Sequence, residues 1–406
     1  KEYLGQEVVP NSGCGSWLLE PQSTNLMTQS ETFSNWQTEN GNQVVTTGVV
    51  ISPDGTQNGN KLVTYNGGAN ERKLWVQKTV TLGESYTFSV YIKKVSGQLN
   101  TGFLRITTGP NDNYDATQEY TATDQWQRVS VTTNSALSTQ IRFLITGDSD
   151  AQIYIWGAQL EQQSYPTSYI PTSGAISTRL QDIANNSGNA SLINSEEGVL
   201  YAEISALSDD GTLRVFSISD GTSNNRIQLR YDSSSNSVTL IYRVNGGSFV
   251  VLTKVIGNTE DFIKLSFKWK SGDFSLWING VQEQTSSNTT MLPINTLTKL
   301  DFNDSTGSSP FYGKNKALAV YKTALTDASL RCLTYPPAVA TTFDLNFNTI
   351  AEDFTFTRGS EATFVNAQGL IQSTNEIGSE LVTNGDFSNG STGWNLGTNF
   401  SVADGK

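Results

Sequence analysis

Residues 262–269, Phe-Ile-Lys-Leu-Ser-Phe-Lys-Trp, alternate apolar and polar side chains almost without interruption. A period of two sends one side chain into a core and the next into solvent, which fits a half-buried strand and not a helix. The same period recurs at 86–92, 127–132, 140–145 and 151–156, then at 199–204, 213–218, 226–231 and 237–243. Asn245-Gly246 and Asn279-Gly280 stand between such runs and are strong two-residue hairpin signals. Gly, Asn and Asp clusters at 53–55, 66–68, 109–113 and 147–148 separate the runs of the first half. Short strands at regular spacing predict an all-β chain of tandem antiparallel β-sandwiches.

The 406 residues divide accordingly. Residues 1–24 read as a leader or linker and 25–172 as a first sandwich, closed by Pro166 and Pro171, which could not sit in a central strand. Residues 173–197 are a Ser/Asn/Gly-rich linker, and 198–336 a second sandwich. That sandwich ends on one short helix at 326–331, with Thr326 as its N-cap. Residues 337–380 form a linker in which 355–358 and 362–365 are expected to make a small strand pair. Residues 381–406 repeat the order of 25–36, an apolar pair, a polar turn, Phe-Ser-Asn and Trp. They read as the start of a second, incomplete copy of the first sandwich, and the chain as a piece of something longer.

Several functions are excluded by composition. The chain contains no histidine, so Ser-His-Asp and Cys-His catalysis are ruled out, as are zinc sites that depend on His. Lys plus Arg is 26 against 38 for Asp plus Glu, a net charge of −12, which disfavours nucleic acid and anionic membranes as partners. No apolar run approaches the roughly 20 residues a membrane helix needs, so no membrane insertion is expected. Cys14 and Cys332 fall in different segments and are read as unpaired thiols, so packing and not crosslinking is expected to hold the fold.

Particular motifs carry a resemblance. Leu18-Leu-Glu-Pro-Gln-Ser-Thr-Asn-Leu26, Phe33-Ser-Asn-Trp36, Pro53-Asp-Gly55, Tyr154-Ile-Trp-Gly-Ala-Gln-Leu-Glu161 and Tyr165-Pro-Thr-Ser-Tyr-Ile-Pro171 resemble a jelly-roll module common in bacteriophage structural proteins. That module is similar to the carbohydrate-binding modules of glycosidases. Thr357-Arg358, Ala362-Thr363 and Gly369-Leu-Ile371 resemble the leader that precedes it. Leu200-Tyr-Ala-Glu203, Trp277-Ile-Asn-Gly280 and Ala324-Leu-Thr-Asp-Ala-Ser-Leu330 resemble a laminin-G or concanavalin A-like domain. The resemblance implies a jelly roll followed by a concanavalin A-like/laminin-G sandwich. One departure stands out. Many such jelly rolls hold calcium with an acidic residue after the first Phe and Asp residues in the last strand. Here Ser follows Phe33 and Phe387, and Trp156-Gly157 occupies the last strand.

Glycan binding by such folds uses aromatic rings that stack on sugars, with polar side chains bonding hydroxyls. Trp75 beside the Gly-rich turn, and Tyr114 in the polar loop 109–116, are the candidate platform, with Arg72, Asn113 and Asp115 as polar partners. The competing reading packs Trp75 in the core and makes Tyr114 a loop cap. Trp126, Trp156 and Trp269 read as core. Trp277 is opposite in phase to Phe274, Leu276 and Ile278, so it is expected to face outward, toward a ligand or a neighbouring subunit. Asp220, Asn225, Asp301 and Asp304 are candidate calcium ligands on the rim of the second sandwich, with solvated turns as the competing reading. No other cofactor is expected.

A glycosidase would need two paired carboxylates. The Glu-x-Asp-x-x-Glu strand of concanavalin A-like glucanases does not occur, and Glu203 and Glu283 are isolated. The sequence thus reads as a non-enzymatic virion fibre or appendage, a homo-oligomer such as a trimer. It would contact other virion proteins and present glycan-binding modules to a bacterial host from the virion surface. Two alternatives remain open: a bacterial cell-surface or secreted adhesin with the same modules, and a purely structural decoration of capsid or tail that binds no sugar.

Overall fold

The computed structural model describes residues 16–335 except 39–42, 65–72, 109–113, 135, 149 and 234–235. It also describes short strands at 6–7, 355–358, 363–365 and 371–373. The chain is all-β, built from antiparallel sheets packed as sandwiches, with one short helix among the described residues.

Among the described residues the first sandwich has ten strands: β1 (Gln37–Thr38), β2 (Gln43–Val50), β3 (Gly59–Thr64), β4 (Lys73–Thr79), β5 (Tyr86–Lys94), β6 (Thr101–Thr107), β7 (Tyr114–Thr121), β8 (Gln127–Thr133), β9 (Gln140–Gly147) and β10 (Gln152–Glu161). One sheet runs β7-β6-β9-β4-β1 and the other β8-β5-β10-β3-β2. Most successive strands cross from one sheet to the other, as in a jelly roll. Leu74, Leu104, Ile106, Phe143 and Ile145 from the first sheet meet Leu62, Phe88, Val90, Ile92 and Ile155 from the second in the core. The outer face of the second sheet is covered too. Trp156 and Tyr91 point away from that core and pack against Tyr169, which arrives on the segment after β10. The Gln159 side chain fastens this segment, accepting from Ile170 N at 2.7 Å and donating to Thr167 O at 3.3 Å.

The second sandwich uses β11 (Glu197–Ala206), β12 (Arg214–Ser219), β13 (Arg226–Tyr231), β14 (Ser237–Val244), β15 (Gly247–Val255), β16 (Ile263–Lys270), β17 (Phe274–Ile278), β18 (Val281–Ser286), β19 (Lys299–Asp301) and β20 (Gly313–Tyr321). One sheet runs β15-β14-β13-β12-β19 and the other β20-β11-β16-β17-β18. The hairpin residues Asn245-Gly246 and Asn279-Gly280 all take positive φ, as a mirror-image turn requires. Helix α1 (Asp327–Thr334) begins where the sequence places it, with Ser329 N donating to the Thr326 hydroxyl.

The segment before the first sandwich does not behave as a leader. Ser16–Leu19 pairs with β20 as an added strand of the second sandwich, with Trp17 opposite Asn315. Trp17 and Leu19 are part of that sandwich's core. Four residues later Ser23–Asn25 pairs with Ser177–Arg179, so the chain enters and leaves the first sandwich side by side. Between these pairs lies a buried ion cluster. Arg179 is 3.3 Å from Glu20 and 3.7 Å from Asp182, all three nearly inaccessible. The strand pair expected at 355–358 and 362–365 forms differently: Thr355–Arg358 pairs with Asp182–Asn185, and Thr363–Val365 with Ile371–Ser373. Residues 381–406 and Cys14 lie outside the described residues, and Cys332 is an exposed free thiol.

Candidate functional site

Side chains alternate across a strand, so the residues of β7-β6-β9-β4-β1 that do not enter the core share the sheet's outer face. The register aligns them in rows. Arg105 lies opposite both Thr117 and Leu144, Leu144 opposite Trp75, and Trp75 opposite Gln37. In the adjacent row Tyr114 lies opposite Thr107, Thr107 opposite Arg142, and Arg142 opposite Gln77. Trp75 and Tyr114 are therefore on one face, three strands apart, a lateral separation of roughly 14 Å.

The rings on this face are stacked with guanidinium groups. Arg142 lies 4.3 Å from the Trp75 ring centre. Arg105 lies over two rings, 4.3 Å from the centre of Phe103 and 4.2 Å from that of Tyr114. Gln77 donates to Gln140 at 2.9 Å, and Gln140 donates to the Thr79 hydroxyl at 2.9 Å, giving an exposed amide row beside them. The indole N–H of Trp75 and the Nε–H of Arg105 are buried and have no hydrogen-bond acceptor among the described residues. The arrangement offers aromatic surface, amide groups and guanidinium groups on one half-exposed sheet face.

Trp75 thus stands outside the core. Tyr114 is not in a loop as expected but opens β7, its backbone taken up by pairing with Thr107. Asp115 occupies the bulge that follows, where burial pushes its carboxyl above the usual range despite hydrogen bonds from Thr108. Arg72 and Asn113 lie outside the described residues. Phe103, Arg105, Arg142, Gln77 and Gln140 went unnoticed in the sequence. A signal was present: Arg105 sits between Leu104 and Ile106, and Arg142 between Ile141 and Phe143, each at an outward position.

Trp277 does not face a ligand. Its phase is opposite to the sandwich core, as expected, but helix α1 lies over it. Trp277 is 6 % exposed and packs with Val199 and Leu330. The four calcium candidates do not converge. Asp220 accepts from Thr222 and from Asn225 Nδ2 at 2.8 Å. Asp301 is buried against Lys299 at 2.9 Å and accepts from Asn186 N. Asp304 accepts from the amides of Thr306 and Ser308. The cationic Arg226 donates to the Asp304 carbonyl, where a cation's ligands would be needed. Each carboxylate serves its own turn or a neighbouring lysine, and among the described residues no group of three or more acidic or Cys side chains gathers as a metal cage.

A second polar feature escaped the sequence reading. Glu31, Thr32, Ser34, Thr47, Gly48, Gln57, Asn58 and Asn60 line an open cavity of ≈ 420 Å³. Glu31 accepts from Tyr169 at 3.0 Å and from Asn58 at 2.9 Å. Burial raises its carboxyl above the usual range; those hydrogen bonds oppose the rise, and Asp54 adds to it.

The family model of the concanavalin A-like lectin/glucanases superfamily matches residues 189–331, so the second sandwich is a domain of that type. No curated protein matches the chain. Among solved structures, the IT-sialidase CBM40 of Ruminococcus gnavus bound to α2,3-sialyllactose is similar over 34 % of this chain and 83 % of its own, at 18 % identity and a TM-score of 0.30. The heptameric SAP-like pentraxin of Limulus polyphemus is similar over 47 % of this chain and 88 % of its own, at 14 % identity and a TM-score of 0.33. The CBM22-1–CBM22-2 tandem domain of Paenibacillus barcinonensis Xyn10C is similar over 75 % of this chain and 99 % of its own, at 12 % identity and a TM-score of 0.28.

Proposed function

We propose that this chain, whose second sandwich is concanavalin A-like, is a non-enzymatic glycan-binding protein with its sugar platform on the outer face of β7-β6-β9-β4-β1. One observation carries the reading. Trp75 and Tyr114 stand half-exposed on one sheet face, whereas the equivalent face of the partner sheet is sealed by Tyr169. Sugar rings offer C–H surfaces to aromatic faces and hydroxyls to amide and guanidinium edges, and this face supplies both. A spacing of three strands suits an oligosaccharide over a single ring. A binding role in place of a cleaving one is supported by the lack of a Glu-x-Asp-x-x-Glu strand that would pair the carboxylates a glycosidase needs.

The test is a glycan array probed with the full chain and with Trp75→Ala and Tyr114→Ala. Binding by the parent and its loss in both folded variants is expected. Undiminished binding by the variants would remove the site from this face.

The setting we propose is a bacteriophage fibre or appendage, a homo-oligomer displaying these sandwiches to a bacterial surface. It rests on the order of the motifs at 18–26, 33–36, 53–55, 154–161 and 165–171. Antibodies to the chain should label purified phage particles. Labelling confined to a bacterial envelope that carries no particles would favour the adhesin reading.

A further inference from the structure

We infer that the glycan taken by this face is acidic, a polysaccharide bearing carboxylate groups held by Arg105 and Arg142; this rests on the glycan-binding reading above. The chain as a whole carries a net charge of −12, yet the centre of this face is cationic. Arg105 and Arg142 are diagonal neighbours on paired strands, because Arg142 lies opposite Thr107 and Arg105 opposite Leu144. Such a pair has its β carbons about 7 Å apart, within reach of one sugar or of two successive ones. Among the described residues neither guanidinium has a carboxylate partner. The ion pairs of this sandwich lie elsewhere, as at Arg128 and Glu161. The acidic side chains near the face, Asp115 and Glu119, both belong to the edge strand β7. The first is held by Thr108 and the second lies opposite Phe103.

Stacking explains how these groups are presented. A guanidinium lying flat on an aromatic ring keeps all its N–H donors in its own plane, directed away from the ring. Arg105 lies over both Phe103 and Tyr114, and because its Nε–H is buried the terminal N–H groups are the donors left for a ligand. The fork of donors matches the two oxygens of a carboxylate. A neutral sugar would leave two ordered cations without a counter-charge, whereas a uronic or sialic acid unit supplies one. The rings then serve twice, orienting the arginines and packing against the sugar beside them.

The experiment uses the full chain against a panel of carboxylated polysaccharides (polygalacturonate, alginate, hyaluronan, polysialic acid). Each is set beside its neutral esterified or carboxyl-reduced form. Arg105→Met and Arg142→Met keep the apolar stem and remove the charge, and circular dichroism reports whether each folds. Arg105→Lys and Arg142→Lys keep the charge without the fork. At least one acidic polymer should be bound in preference to its neutral form. Each Met variant should weaken that binding about tenfold, the worth of one charge-assisted hydrogen bond. Lys variants should fall between, and added salt should weaken the parent more than the Met variants. Equal binding of acidic and neutral forms, unchanged in the Met variants, would overturn the inference and leave the glycan-binding reading standing. Binding of no polysaccharide, acidic or neutral, by folded protein would remove both.

Discussion

The guanidinium of Arg142 lies 4.3 Å from the centre of the Trp75 ring, on the side of the sheet that faces away from the core. The indole is therefore held in place by a cation and by its strand neighbours Gln37 and Leu144, without contributing to the packing between sheets. Orientation and exposure are combined in one side chain, as a stacking platform requires.

Trp75→Ala is expected to leave folding largely intact while abolishing sugar binding. The comparison that checks it is Phe88→Ala, at a ring fully enclosed by both sheets, which should cost about 3–5 kcal/mol. Chemical denaturation of the two variants in parallel should separate them clearly. Equal destabilisation would mean that Trp75 belongs to the core energetically.

Trp17→Ala should destabilise the second sandwich, although 180 residues' worth of chain lies between residue 17 and β11 at 197. Trp17 packs 6.5 Å from Phe302, centre to centre, and belongs to the core that holds Leu200, Phe216 and Phe311. A loss of about 3–5 kcal/mol is expected from a buried Trp truncation. Hydrogen exchange would locate it, with amides of β20 and β11 exposed and those of β5 and β10 unaffected.

Arg179→Met should be more damaging than its burial alone suggests. It leaves Glu20 and Asp182 enclosed together without a counter-charge, and such unpaired burial costs about 3–5 kcal/mol. The triple change Glu20→Gln, Arg179→Met, Asp182→Asn should recover much of that loss in urea melts. A triple variant as unstable as the single one would show that the charges themselves are needed.

Glu31 sets a pH dependence. Burial raises its carboxyl above the ordinary 4.5, ahead of the opposing hydrogen bonds from Tyr169 and Asn58. The folded state thus keeps the proton to higher pH than the unfolded chain, and stability is lost as pH rises from 4.5 through the raised value. Glu31→Gln should remove this slope, melting above the parent at neutral pH and with it at pH well below 4.5. A Gln variant that melts lower at neutral pH would mean that the two hydrogen bonds outweigh burial.

Local patterns were readable where one side chain's surroundings depend only on its own strand. The alternation at 262–269 and the Asn-Gly turns are of that kind, and so is the Thr326 cap. Partners distant in sequence were not readable. Trp277 has the outward phase that its neighbours dictate, but whether an outward ring meets water or helix α1 depends on where the chain goes fifty residues later. Tyr114 follows a run of turn formers, and only pairing with Thr107 turns it into strand. Leu18 and Leu19 look like part of a polar leader because four residues are too few to show a period. The acidic turns at 220 and 304 carry residues that suit a metal and a turn equally, and only the position of Arg226 separates the two. The proposed sugar platform was half visible: the rings stood out by type, while the arginines beside them looked like ordinary solvent-facing positions.

Because Ser16–Leu19 is woven into the second sandwich, and the two ends of the first are zipped together at Ser23–Asn25 and Ser177–Arg179, the first sandwich hangs from the second as a closed loop. Tension pulling residues before 16 away from residues after 321 is borne by the ladder between Ser16–Leu19 and β20. The first sandwich, closed off by its own strand pair, is expected to carry little of that load.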